Sequence, residues 1–65
     1  MGDVDYKRVG EDYVRGNFVM AIYHMLALQI VFTVNPKFKN DKFAKKIEDT
    51  ISELKGMAEQ LNIAL

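Results

Sequence analysis

The run Gly16–Pro36, GNFVMAIYHMLALQIVFTVNP, holds 21 residues without a formal charge, although 28% of the chain is charged. As an α-helix, Asn17 to Val34 spans roughly 27 Å at about 1.5 Å per residue, and its residues leave no wide polar face. A helix that is apolar all round needs neighbours on more than one side, or a membrane. Its last third, Gln29 to Val34, is rich in β-branched residues, but a strand there has no partner strand, so a helix is expected. The run is also long enough to cross a bilayer. His24, Gln29 and Thr33 interrupt it, and an amphipathic helix that wants a soluble partner follows, so a buried helix in a cytoplasmic domain is the expectation. The acidic start with Asp3 and Asp5 does not resemble a signal peptide, and Tyr6 stands where N-myristoylation wants Ser or Thr.

With 65 residues the chain is a single small domain, near the lower limit at which one core offsets chain entropy. It has no cysteine and one histidine, so neither a disulfide nor a zinc site is expected to staple it. Nine basic and nine acidic residues give no general attraction to nucleic acid or to an anionic membrane. The lysines nevertheless cluster in Lys37 to Lys46, and carboxylates dominate after Ile47. The lysine cluster reads as solvated, since Phe38 and Phe43 alone could stack on a base. His24 has no Cys, Asp or Glu within a helical turn, so it reads as a core or interface histidine. No phosphate-cradling glycine loop or nucleophile–base pair is present, and neither catalysis nor a cofactor is expected.

Taken in order, residues 3 to 15 predict a first helix with Tyr6, Val9 and Tyr13 at 3-4 spacing, and Asp3 and Asp5 favour its N-terminus. Gly10 costs about 1 kcal/mol against alanine, which suggests another helix approaching closely there. Arg15-Gly16-Asn17 reads as a tight turn, with Gly16 in the left-handed position and Asn17 capping a second helix over 17 to 34. Pro36 ends that helix, and Asn40 or Asp41 caps a third over 41 to 64. In the third, Ile47, Ile51, Leu54, Ala58, Leu61 and Leu65 recur at spacings of 4 and 3 and make one seam. A seam still periodic at Leu65 is what a piece of a longer protein would show. The expected fold is all-α, an antiparallel three-helix bundle running up, down and up.

Tyr13-Val-Arg-Gly-Asn-Phe-Val-Met-Ala21-Ile22 resembles the aromatic, Gly-Asn-Tyr, Ala-Leu signature of tetratricopeptide helix pairs and of MIT domains, the microtubule-interacting and trafficking modules. The MIT family suits the whole length better, and Leu54-Lys-Gly-Met-Ala-Glu-Gln-Leu61 is similar to the end of its third helix. Gly16-Asn-Phe-Val-Met-Ala-Ile-Tyr-His24 also resembles a stretch of HEPN domains, which are longer and have four helices. The MIT resemblance implies a noncatalytic module, beside a AAA ATPase or another trafficking or division protein, that captures helical tails of ESCRT filament subunits. Membrane contact would then be indirect.

A groove between antiparallel helices, apolar at its floor and acidic at one rim, can take an amphipathic basic helix. Its floor is expected at Thr50, Met57 and Ala64, its wall at Met25 and Phe32, and its acidic rim at Glu53. The alternative is a self-associating helical protein, structural or HEPN-like regulatory, in which a second copy covers the apolar helix and two chains form a homodimeric bundle.

Overall fold

A computed structural model describes residues 6–65, and the side chains from Gly10 onward. The expected helix start at Asp3, with Asp3 and Asp5 near it, lies outside the described residues. Among the described residues two helices account for the regular structure: α1 (Tyr6–Val34), of 29 residues, and α2 (Asp41–Gln60), of 20. They fold back on each other as an antiparallel hairpin. The chain is all-α, but the three-helix bundle is not formed, because the expected first and second helices are one.

The break fails at Gly16. Among the described residues no glycine has a positive φ, so Gly16 does not take the left-handed conformation that a turn needs. Asn17 does not cap; its Nδ2 donates to the Tyr13 carbonyl at 2.8 Å, a bond made along a continuing helix. Asp12 and Arg15 pair across the same turn at 2.9 Å. Ending a helix here and starting another would orphan four carbonyls and four N–H groups. Keeping Gly16 helical costs only about 1 kcal/mol. The turn that carried the resemblance to tetratricopeptide and MIT helix pairs is therefore absent.

The second boundary follows local chemistry. Asn35 ends α1, its carbonyl accepts from Phe38 N–H at 3.1 Å, and its Oδ1 accepts from Lys37 N–H at 2.9 Å. Pro36 occupies the turn position that its fixed φ suits. Asn40 then does two jobs. Its N–H donates back to the Phe32 carbonyl at 2.8 Å, and its Oδ1 accepts from Phe43 N–H at 3.0 Å as the N-cap of α2. Phe32 and Phe43 meet edge to face above the loop, with ring centroids 5.4 Å apart.

The helices share one seam. Phe18, Ile22, Met25, Gln29 and Phe32 are half-buried on α1 at spacings of 4 and 3, as are Ala44, Ile47 and Leu54 on α2, where Ile51 and Ala58 are buried. Ile51 at 6% exposure and Ala58 at 0% are the buried hydrophobic residues of the described chain. Two helices enclose no more than that, and the molecule is about one helix thick, 12 Å along its shortest axis.

The helix expected over 41 to 64 ends at Gln60. Asn62 adopts φ 59°, its N–H donates to the Glu59 carbonyl at 3.0 Å, and Ile63 N–H donates to the Ala58 carbonyl at 2.9 Å. This is a Schellman turn with asparagine in the left-handed place. It removes Leu61 and Leu65 from the seam, where they were expected, and leaves them 60% and 54% exposed. It also bends the chain back so that the Ala64 carbonyl accepts from Arg15 Nε at 3.2 Å.

These features set two stability expectations. Ile51→Ala should cost about 2–5 kcal/mol, the loss of a buried aliphatic side chain, read as a large drop in the thermal midpoint by circular dichroism. Asn62→Gly should raise the midpoint and Asn62→Val should lower it, by about 1–2 kcal/mol for a β-branched residue at positive φ; a midpoint indifferent to both would mean that the Schellman turn does not hold the end of α2.

Candidate interaction surface

The six expected groove residues are divided between the seam and the flank and far end of α2. Met25 and Phe32 face α2 within the seam, half-buried. Thr50 is half-buried at the seam's edge, and its hydroxyl donates to the Lys46 carbonyl at 2.8 Å. Glu53 is exposed, Met57 is 51% exposed, and Ala64 lies beyond the end of α2 in the segment that returns to Arg15. None of the six lines the two grooves that flank the seam. The larger groove, about 480 Å³, has an apolar floor of Val19, Ile22 and Ile63, with Tyr23, Lys55 and Glu59 at its edges. Ile63 is there because the Schellman turn folds it over. The smaller, about 330 Å³, lies on the opposite flank beside Phe18, Ala21 and Leu54.

The larger unfilled surface is on α1, away from α2. Starting at Tyr13, the residues opposite the α2 contact are Gly16, Met20, Tyr23, Ala27, Ile30 and Val34, at spacings that alternate 3 and 4. Alternation of this kind keeps a stripe in line along a helix and is the pattern that meets another helix. All seven are exposed, and Tyr13, Met20, Tyr23, Ile30 and Val34 lie between 59% and 71%. The stripe has no charge along its length. His24 borders it and is exposed, so it is not a core residue in the hairpin. Sequence reading passed over this stripe because α1 is apolar on every side, and two 3-4 patterns on opposite faces blur into one continuous run until the position of α2 separates them.

Glycine chemistry points the same way. A Cβ added at Gly10, Gly16 or Gly56 would meet nothing within 4 Å, so no glycine in the hairpin makes room for a neighbouring group within it. Gly16 sits in the exposed stripe, where the absent side chain would let an outside helix approach.

Exposed charged groups are concentrated on α2 and toward the two ends of α1. Lys45 pairs with Asp49 at 3.2 Å, and the hydrogen bond that its ammonium donates to that carboxylate, with the carboxylate's charge, raises the lysine pKa above its ordinary value. Lys42, Lys46, Glu48, Asp49, Glu53 and Glu59 are exposed along α2. Glu11 and Asp12 stand near the start of α1, and Lys37 and Lys39 follow its end.

The molecular surface measures 5553 Å² for 7.5 kDa, against about 4,200 Å² for a compact monomer of that mass. The radius of gyration is 15.6 Å, where about 11 Å would be compact. Gly10–Val34 is long and apolar enough to cross a membrane by length and composition, and little of it is buried in the hairpin. A bilayer enclosing the closed hairpin would also have to take α2 with its outward lysines and carboxylates, each of which costs several kcal/mol in hydrocarbon. Comparisons with protein-family models, with curated proteins and with solved structures return no match for this chain.

Proposed function

We propose that the chain is a noncatalytic helical assembly module, a hairpin whose α1 pairs with a helix of a second copy to form a four-helix unit. The observation that carries this reading is the uncharged 3-4 stripe from Tyr13 to Val34 on the face that α2 leaves open. A stripe of this width exposed on a monomer invites association, since large uncovered apolar patches mark interaction surfaces. The surface in excess of a compact monomer, about 1,300 Å², is more than the roughly 800 Å² that each partner gives to a standard interface. Pairing would cover the second side of α1 as α2 covers the first.

Sedimentation equilibrium tests this. The expected species at tens of micromolar is a dimer of about 15 kDa, twice the chain mass of 7.5 kDa, with the proportion of dimer falling on dilution. A single species at the chain mass at every concentration would sink the reading. The membrane alternative has its own measurement: the chain should stay in the supernatant with neutral lipid vesicles, and recovery with the vesicles would put lipid on α1 instead.

A second reading is favoured by the groove beside Lys55 and Glu59. Its apolar floor and charged edges suit one turn or two of an amphipathic helical tail from another protein. A monomer that binds such a peptide, with amide shifts at Val19, Ile22 and Ile63, would favour capture of a tail over self-association.

A further inference from the structure

Independently of self-association, we infer that the loop end of the hairpin docks on an anionic lipid surface, with Lys37, Lys39, Lys42 and Lys46 meeting the headgroups and Phe38 entering between them.

The first observation is where the charge sits. The chain as a whole is neutral, but residues 35–47 hold five lysines against a single carboxylate, Asp41. Lys45 is matched by Asp49 at 3.2 Å. Lys37, Lys39, Lys42 and Lys46 are exposed and form no ion pair among the described residues. Glu53 and Glu59 stand about 10 Å or more along α2 from Lys46. That exceeds the screening length of about 8 Å in physiological salt, so these carboxylates leave the field at the loop end positive.

The second is that helix chemistry alone does not call for the lysines of α2. Lys37 and Lys39 follow the negative end of α1, which suits them. Lys42 instead stands in the first turn of α2, where the positive helix end favours a carboxylate, and Lys46 follows it at the i,i+4 spacing at which like charges repel. A local rule broken without an internal compensation is where function is expected.

The third is the apolar surface among the lysines. Phe38 and Phe43 are each 52% exposed, and Ile30 and Val34 are exposed on the last two turns of α1. Lysine stems can lie along such residues while their ammonium groups reach outward, the arrangement that suits a boundary between headgroups and acyl chains. A basic cluster beside an apolar segment attracts anionic lipid, and a basic cluster with an inserted apolar group holds better than either alone. Nucleic acid is the less suited partner. The Lys37 ammonium lies 5.4 Å from the centre of the Phe38 ring and occupies a face that a base would stack on, and Ile30 and Val34 offer nothing to a base.

Co-sedimentation of the whole chain with lipid vesicles tests this. Vesicles of equal parts phosphatidylcholine and phosphatidylserine should carry the chain into the pellet, less of it as sodium chloride is raised, while phosphatidylcholine alone should leave it in solution. Replacing Lys37, Lys39, Lys42 and Lys46 together by glutamine should weaken binding by about fivefold for each lysine removed, with helicity by circular dichroism unchanged. Replacing the same four by arginine should preserve it. The chain has no tryptophan, so Phe38→Trp supplies a single indole whose emission should move to shorter wavelength on the anionic vesicles. Gln60→Trp, at the other end of α2, should show no such shift. A chain that dimerises but ignores anionic vesicles overturns this inference and leaves the assembly reading standing. Equal recovery with both vesicles would put lipid on the apolar side of α1, and a shift at position 60 in place of 38 would put another end on the surface; either overturns the docking inferred here. So does loss of binding in the arginine variant, or lysine-dependent binding of a single-stranded oligonucleotide in place of the vesicles.

Discussion

Two helices can touch along only one line, and the architecture of this chain follows from that limit. A single neighbour covers a stripe roughly 100° wide, which suits α2, whose apolar residues Ile47, Ile51, Leu54 and Ala58 occupy such a stripe and whose other residues are largely charged or polar. It does not suit α1, which is apolar on the seam and on the side opposite. The contact between Phe18, Ile22, Met25 and Phe32 and the α2 stripe therefore completes one helix and half-completes the other. The thin, long outline, the pair of shallow grooves and the exposed stripe are three expressions of the same imbalance.

How much of this was legible depended on how local the governing chemistry is. The end of α1 at Asn35-Pro36 and the start of α2 at Asn40 follow from single residues with strong preferences, and both lie where sequence reasoning places them. The α2 seam was readable from period alone as far as Ala58, since charged residues outline it. Gly16-Asn17 was misread because the same pair suits a turn or a helix, and what decides is the cost of orphaned backbone groups, which no motif records. Asn62 was passed over for the complementary reason. Asparagine is a weaker left-handed signal than glycine, and the periodic Leu61 and Leu65 argued for continuing the helix.

The groove residues illustrate a different difficulty. Met25 and Phe32 were expected as the wall of a groove, on a helix with more apolar residues than two neighbours could cover. With two helices they are the core, and the surplus moves to the opposite side of α1. Thr50 and Met57 lie on the flank of α2 as their helical phase implies, but Ala64 does not, because the helix has ended four residues earlier. A change of topology thus redistributes residues even where the helical phase of each is right.

The loop between the helices bears on how such a chain could pair. Its turn is closed by the Asn35 carbonyl and side chain, Asn40 ties it to Phe32 on one side and Phe43 on the other, and the two phenylalanine rings lock over it. None of its residues needs a left-handed backbone. Exchange of α2 between two chains would require this turn to straighten, losing the Asn35 bonds and the Asn40–Phe32 bond that close it without relieving any strain, whereas strained hinges are the ones that open readily. Encounter between closed hairpins is then the accessible route to a pair, a bimolecular step with no unfolding ahead of it, so assembly and disassembly would follow dilution promptly rather than lag behind a slow conformational release.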